Sequence, residues 1–301
     1  MDASVICPVI ETAAPIGPAY DLRRPQGALS APLVFASPHS GRLYPDEMMS
    51  ASVLDADAIR RSEDVLVDAL IAPATDHGAT VLAARYARAF IDVNREPYEL
   101  DPAMFSDELP AFVRGKTARV AAGLGAIARI VSEGQEIYGR KLTFADALRR
   151  IEMVHRPYHE ALSCLVEEAK AAHGSAILID WHSMPAAAAA SAERGRGGRP
   201  CDMVLGDRFG SACGSGVTAL VERELTAMGY QVARNAPYAG GYTTEFYGKP
   251  TQGVHALQIE INRALYLDEA SLEPHEGFER LRADLGGLFA ALAAGDWRGR
   301  I

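Results

Sequence analysis

The sequence predicts an α/β fold with a buried sheet, on three observations. Short continuous apolar runs recur along the chain, stretches of helix-forming composition separate them, and polar or turn residues close each run. Residues 1 to 28 are Pro-rich and without pattern, an N-terminal arm with room for one short strand. The first strong element is Pro32-Leu-Val-Phe-Ala-Ser-Pro38, a buried strand feeding the loop that carries His39. A helix is expected from about Ser52 to Ile71, then strands at Ala79-Thr-Val-Leu-Ala-Ala84 and at Arg88-Ala-Phe-Ile-Asp-Val93. Between Thr117 and His173, Ala, Leu, Glu, Lys and Arg dominate and glycines punctuate, which predicts two or three helices.

Ser175-Ala-Ile-Leu-Ile-Asp180 reads as another buried strand, ending in Trp181-His-Ser183. The Ala-rich and then Arg/Gly-rich stretch 186 to 200 has no apolar period and is expected to be a mobile loop. A strand at Met203-Val-Leu205, a helix from about Ser215 to Met228 and a strand at Gln231-Val-Ala-Arg234 follow. The loop Ala239-Gly-Gly-Tyr-Thr-Thr244 leads to the strand His255 to Arg263, and a helix from about Glu276 to Ala294 closes the chain. No repeat or linker divides residues 29 to 301, which are expected to form one catalytic domain behind the arm.

With 301 residues, 49% of them hydrophobic, the chain can bury a sizeable core. Its net charge of -9 argues against nucleic acid, whose phosphates require surplus Lys and Arg, but allows a small anionic substrate held by a few convergent arginines. No apolar run reaches bilayer-spanning length and the N-terminus lacks a basic signal region, so a cytoplasmic location is expected, with no membrane partner. Cys7, Cys164, Cys201 and Cys213 are scattered, without metal-binding spacing, and are expected to be free thiols. The absence of P-loop, G-x-G-x-x-G and G-x-S-x-G motifs removes nucleotide binding and serine-esterase chemistry from the leading readings.

Ligands of open α/β sheets bind beyond the carboxyl ends of strands. Four such ends carry reactive types here: His39, Asn94-Arg95, Asp180 with His182, and Glu260. One alone is explained by packing, but four buried polar ends need pairing or a metal to offset their desolvation. His39 and His182, at equivalent strand ends, suit two ligands of a catalytic metal, with a third from Arg60-Arg-Ser-Glu-Asp64. Helical phase brings Glu63 nearer the apolar face than Asp64, although a helix-end site need not respect that phase. His155 and His159 are four apart but lack the intervening Glu of a metalloprotease helix, so a structural or substrate-contacting role is expected. The Gly240-Gly241 pair suits a turn or close backbone approach to a ligand.

The segments Ser37-Pro-His-Ser-Gly-Arg42 with Tyr44-Pro45, Glu63-Asp64 with Val67-Asp68, Arg88 through Asp92-Val-Asn-Arg95, Ile179-Asp-Trp-His-Ser-Met184, Gly240-Gly-Tyr-Thr-Thr244 and Leu257-Gln-Ile-Glu-Ile-Asn-Arg263 with Tyr266 together resemble the N-formylglutamate amidohydrolase family. That family is similar in turn to zinc carboxypeptidases and aspartoacylases. The resemblance implies a mixed central sheet flanked by helices, phosphorylase/hydrolase-like in architecture, with one catalytic Zn2+ per chain. It matches His39 and His182 to the zinc histidines and Asp64 best to the acidic ligand, with Glu63 the alternative. The relatives place a Glu three residues after the first histidine, where this chain has Arg42.

The same resemblance puts Asn94 and Arg95 at the substrate carboxylate and Glu260 at the general base. Arg88 is then the cation for the oxyanion, Arg263 a partner for a second substrate carboxylate, and Gly241, Thr243, Thr244, Tyr242 and Tyr247 pocket residues. Asp180 is expected to orient a metal-binding histidine. The implied activity is release of formate from N-formyl-L-glutamate, as in histidine degradation. The alternatives are a zinc deacylase or carboxypeptidase-like amidase on another N-acyl amino acid or short peptide, and a catalytically silent binding protein of the same fold.

Overall fold

The computed structural model describes residues 17–27, 30–131, 134–191, 200–295 and 297. Seven strands form one sheet: β1 (Tyr20–Arg23), β2 (Leu33–Ser37), β3 (Thr80–Ala84), β4 (Ala176–Met184), β5 (Met203–Gly206), β6 (Val232–Arg234) and β7 (Val254–Asn262). Their spatial order is β1-β3-β2-β4-β7-β5-β6. Strands β3, β2, β4 and β7 are mutually parallel, while β1 is antiparallel to β3 and β5 to β7, so the sheet is mixed, as implied. The helices are α1 (Asp46–Ala51), α2 (Ala56–Arg60), α3 (Val67–Ile71), α4 (Ala118–Ala121), α5 (Phe144–Arg150), α6 (Arg156–His173), α7 (Ala186–Ser191), α8 (Ser215–Ala227), α9 (Tyr242–Tyr247) and α10 (Gly277–Ala293). Among the described residues no helix is long and apolar enough to cross a membrane, and Cys164, Cys201 and Cys213 are free thiols. Cys7 lies outside the described residues.

Strand pleating sorts the apolar runs onto two faces. Leu33 and Phe35 of β2, Ile177, Ile179 and Trp181 of β4, and Leu257, Ile259 and Ile261 of β7 share one core with α3, α8 and α10. Their alternates Val34, Ala36, Ala176, Leu178, Val254 and Ala256 pack on the other face against α6, whose Tyr158, Ala161, Leu162, Leu165, Val166 and Ala169 form a helical stripe. On this second face the pattern changes along the strands. Asp180 and His182 continue the parity of Ala176 and Leu178, and Gln258 and Glu260 continue that of Val254 and Ala256. All four are buried, and strand register pairs Asp180 with Gln258 and His182 with Glu260.

Four local expectations are corrected. The predicted helix 52–71 is two short helices, α2 and α3, parted by a turn in which Leu66 is left-handed (φ 61°) and the Asp64 amide bonds the His39 carbonyl at 3.0 Å instead of a helical partner. Residues 88–93 form turns and not a strand, because the Phe90 and Ile91 amides return to the Ala87 carbonyl and the Asp92 amide goes to Ala126. Their burial on every side gives the same apolar run a strand would. Ala186–Ser191 is helical, in keeping with alanine's high propensity, while 192–199 of the predicted mobile loop lie outside the described residues. The loop after Gly241 turns at once into α9.

Candidate active site

Three side chains from distant parts of the chain converge beyond the sheet. His39 lies just past β2, Asp64 on the turn after α2, and His182 on β4. His39 Nδ1 is 3.0 Å from His182 Nδ1, Asp64 Oδ2 is 3.1 Å from His182 Nδ1 and 3.3 Å from His39 Nδ1, and all three residues are buried. The remaining histidine nitrogens face carboxylates. Asp92 Oδ1 bonds His39 Nε2 at 2.7 Å, and Asp180 Oδ2 stands 3.0 Å from His182 Nε2. A carboxylate there favours a proton on Nε2 and turns the Nδ1 lone pair toward the common point.

Two imidazole lone pairs and a carboxylate oxygen aimed at one another repel unless a cation sits between them. Donors about 2.0–2.1 Å from a tetrahedral ion stand roughly 3.3–3.4 Å apart, close to the spacing here. Burial opposes the Asp64 charge, but the His182 and His39 imidazoles beside it outweigh burial and hold the carboxyl well below the usual range. Burial likewise opposes charge on His182, yet Asp180 and Asp64 raise it well above an ordinary imidazole, so the cluster favours positive charge. The donor set His39, Asp64 and His182 therefore fits a metal ion.

Glu63, the alternative ligand, turns away: its carboxylate accepts the Tyr44 hydroxyl at 2.6 Å and Arg60 Nε at 3.2 Å. Arg42 is committed elsewhere, its Nη2 donating to both Asp68 oxygens at 2.8 and 2.6 Å. Of the two neighbouring carboxylates, Asp64 is the one that stands with His39 and His182.

Beside the cluster, Glu260 accepts from Gln258 Nε2 at 2.8 Å, and burial pushes its carboxyl up to about 7 against the pull of His182, Arg88 and Arg263. Arg88 bonds Asp92 Oδ2 at 2.8 Å. Asp92 is buried, but His39 and Arg88 hold it well below the usual carboxylate range. His39, Asp64, His182, Glu260, Arg88, Asn94, Arg95, Arg119 and Gly241 are among the residues lining one cavity of about 560 Å³, large enough for an amino-acid derivative.

A sequence profile of N-formylglutamate amidohydrolases matches residues 31–267, spanning every one of these groups. The chain belongs to the N-formylglutamate amidohydrolase family. It is 40% identical to a crystal structure of N-formylglutamate amidohydrolase from Ralstonia eutropha, with a TM-score of 0.84 over 91% of this chain and 97% of that one. It is 29% identical over 242 residues to the N-formylglutamate deformylase of Pseudomonas aeruginosa, covering 79% of this chain and 83% of the relative. The N-formylglutamate deformylase of Pseudomonas putida is 28% identical over 252 residues, covering 81% and 84%.

In this N-formylglutamate amidohydrolase family member several side chains differ from the pocket roles expected of them. Thr243 and Thr244 are fully buried behind the cavity wall, where the Thr243 amide bonds Asn94 Oδ1 at 2.8 Å and Thr244 Oγ1 bonds the Gly241 carbonyl at 2.9 Å. Asn94 lines the cavity but spends its amide on the protein, its Nδ2 bonding Asp180 Oδ2 at 3.1 Å. Gly241 is required by closeness, since a Cβ there would lie 2.5 Å from Asn94 Nδ2. Arg263, expected at a second substrate carboxylate, already donates to Ser183 Oγ, Asp64 Oδ1 and the Glu63 carbonyl at 2.7–3.1 Å, and so positions Asp64.

Tyr242 and Tyr247 line a neighbouring cavity with His155 and His159. These histidines hold the segment behind Arg95: His155 Nε2 bonds the Arg95 carbonyl at 2.9 Å, and His159 Nε2 that of Val93 at 2.7 Å. His155 closes a π-helical turn, Ile151–His155, a deformation that occurs often near functional sites, and His159 follows it on α6. Sequence reasoning assigns no role to Asp92, Gln258 or Arg119. The period-2 parity with Glu260 could have found Gln258, and the Asp-x-Asn turn in which Asp92 Oδ1 caps the Asn94 amide at 2.8 Å could have found Asp92. No local signal marks Arg119.

Proposed function

We propose that the chain is a zinc-dependent amidohydrolase that releases formate from N-formyl-L-glutamate. The observation that carries this reading is the convergence of two carboxylate-backed imidazoles and Asp64 beside buried Glu260, in a cavity also lined by Arg61, Arg88, Arg95, Arg119 and Arg263. Imidazole and carboxylate donors with an open cavity side suit a catalytic zinc, which supplies Lewis acidity toward the amide carbonyl and toward water when bound.

Around that centre the protein does the rest. Glu260, poised near neutrality by burial, takes the proton of the attacking water and delivers it to the leaving amine as the C–N bond breaks, giving formate and the free amino acid. The Arg88 guanidinium, fixed by Asp92, stabilises the negative charge that develops on the carbonyl oxygen. Arg95 bonds the Leu124 and Asn94 carbonyls at 3.0 and 2.9 Å and keeps spare donors for the substrate α-carboxylate. A cytoplasmic setting accords with the free thiols.

The test is formate release from N-formyl-L-glutamate by purified protein, with zinc and after chelation at one pH. Zinc-restored turnover is expected. A protein that binds one zinc and releases no formate would redirect the reading to other acyl groups or amino acids.

A further inference from the structure

With Arg263 committed to Asp64, the substrate's second carboxylate has no assigned partner, and besides Arg95, already assigned to the α-carboxylate, two arginines line the cavity without an ion pair shorter than 3.5 Å among the described residues. Arg61 is exposed at the end of α2, with no ion pair of its own among those residues. Arg119 sits on α4, a single turn mounted by both neighbours: the Thr117 hydroxyl accepts the Val120 amide at 3.1 Å and donates to the carboxylate of buried Glu99.

We infer that Arg119 binds the side-chain carboxylate of the substrate and so sets the preference for an acidic amino acid. The inference rests on the proposed function and adds a residue that the sequence pattern did not single out. Three observations carry it. Among the described residues the Arg119 guanidinium donates no hydrogen bond, and its nearest carboxylate oxygen, Glu99 Oε2, stands 3.8 Å away, beyond hydrogen-bond reach, while Glu99 Oε1 accepts the Thr117 hydroxyl. A partly buried guanidinium with its five donors unspent is a ready fork for a carboxylate.

Second, Arg119 shares the cavity with Arg95, and the two are close enough for Arg119 to weaken the Arg95 proton affinity, which burial lowers first and Arg88 lowers further. The guanidiniums of Arg88, Arg95 and Arg119 line one wall region, with Asp92 between Arg88 and Arg95 and Glu99 3.8 Å from Arg119. A dicarboxylate places one anion on each of two arginines, with a short alkyl chain between them. Third, that chain would run past Leu124, Ala128, Ile130 and Val131, apolar members of the same wall, which suit methylenes and not a second polar group.

The experiment compares kcat/KM for N-formyl-L-glutamate and N-formyl-L-glutamine, which differ only in the side-chain charge, in zinc-loaded wild type, Arg119→Gln, Arg119→Lys and Arg61→Gln, with circular dichroism to verify folding. Arg119→Gln is expected to lower the glutamate-to-glutamine ratio by about 30-fold or more, through KM for glutamate and with little change in kcat, because only ground- and transition-state binding of a remote group is lost. Arg119→Lys recovers part of the ratio by keeping the charge. A folded Arg119→Gln protein with an unchanged ratio overturns the inference, as does the same loss in Arg61→Gln instead. Wild type that cleaves both substrates equally well leaves the amidohydrolase reading standing and removes Arg119 from it. Wild type that loads zinc and cleaves neither removes the proposed function itself, and the Arg119 assignment with it.

Discussion

The two faces of the sheet are made by the same strands, yet one stays apolar as far as Trp181 and Ile261, with Ser183 and Arg263 only beyond, while the other turns polar sooner and carries most of the candidate site. On the face toward α10, Ile177, Ile179 and Trp181 stay apolar to the end of the run, where Trp181 meets Phe35 and Phe289 with ring centroids 5.6 and 5.8 Å apart. On the face toward α6, Ala176 and Leu178 give way to Asp180 and His182 over the same length of chain. A shift of one residue in the pleat thus separates a position that only fills space from one that can hold a proton or a metal. The polar half is still buried, so its charges persist only because each is tied to another: Asp92 to His39 and Arg88, Asp180 to Asn94, and Asp64 to Arg263.

The division of labour between the faces is testable. The largest effect is expected for Glu260→Gln, which keeps shape and removes the proton acceptor: kcat should fall by about 10²–10⁴-fold while one zinc per chain is retained by metal analysis. Turnover near wild type in that variant would break the assignment of chemistry to the polar face. Phe289→Ala on the opposite face should do the reverse. It is expected to cost about 3–5 kcal/mol in denaturant unfolding and to leave zinc stoichiometry and KM unchanged wherever the protein is folded. A loss of metal binding at equal folded fraction would show that the faces are not separable.

Smaller effects sharpen the contrast within the polar face. Asp92→Asn, which weakens the hold on His39 Nε2, should reduce zinc affinity by about 10–100-fold in a chelator competition. An unchanged affinity would mean that packing alone orients His39. The smallest concerns His159, whose proton affinity burial lowers until it titrates near about 3. The unfolded chain therefore binds more protons between that value and an ordinary imidazole pKa of about 6.5. Stability from this group is complete above that ordinary value and is lost as pH falls toward the folded one, by about 1.4 kcal/mol per pH unit. His159→Gln should unfold with a shallower pH dependence between about pH 6.5 and pH 4, measured by denaturant midpoints. Parallel profiles for variant and wild type would assign the acid sensitivity elsewhere.

Much of this is legible in the residues. Apolar runs mark every strand of the seven-stranded sheet but β1, which lies in the arm, and one false strand at 88–93. Polar residues closing those runs point to His39, Asp180, His182 and Glu260 through polarity and position alone. The false strand has a plain cause: a segment buried on every side looks apolar whatever its backbone does, and only the return of the Phe90 and Ile91 amides to Ala87 makes it a turn. Helical phase also points to Glu63, because it assumes one helix where the chain breaks at 61–66.

By itself the sequence determined the α/β class, the two-faced strands and the donor types, because side-chain polarity and a period of two or 3.6 residues are local properties of the chain. Only the tertiary structure decided which donors meet. Asp64 faces His39 and Glu63 does not because the Asp64 amide is held by the His39 carbonyl while Tyr44 and Arg60 take the Glu63 carboxylate. Arg263 supports Asp64 for the same kind of reason: hydrogen-bond partners up to 202 residues away in the chain claim its donors, and no local pattern encodes partners at that distance.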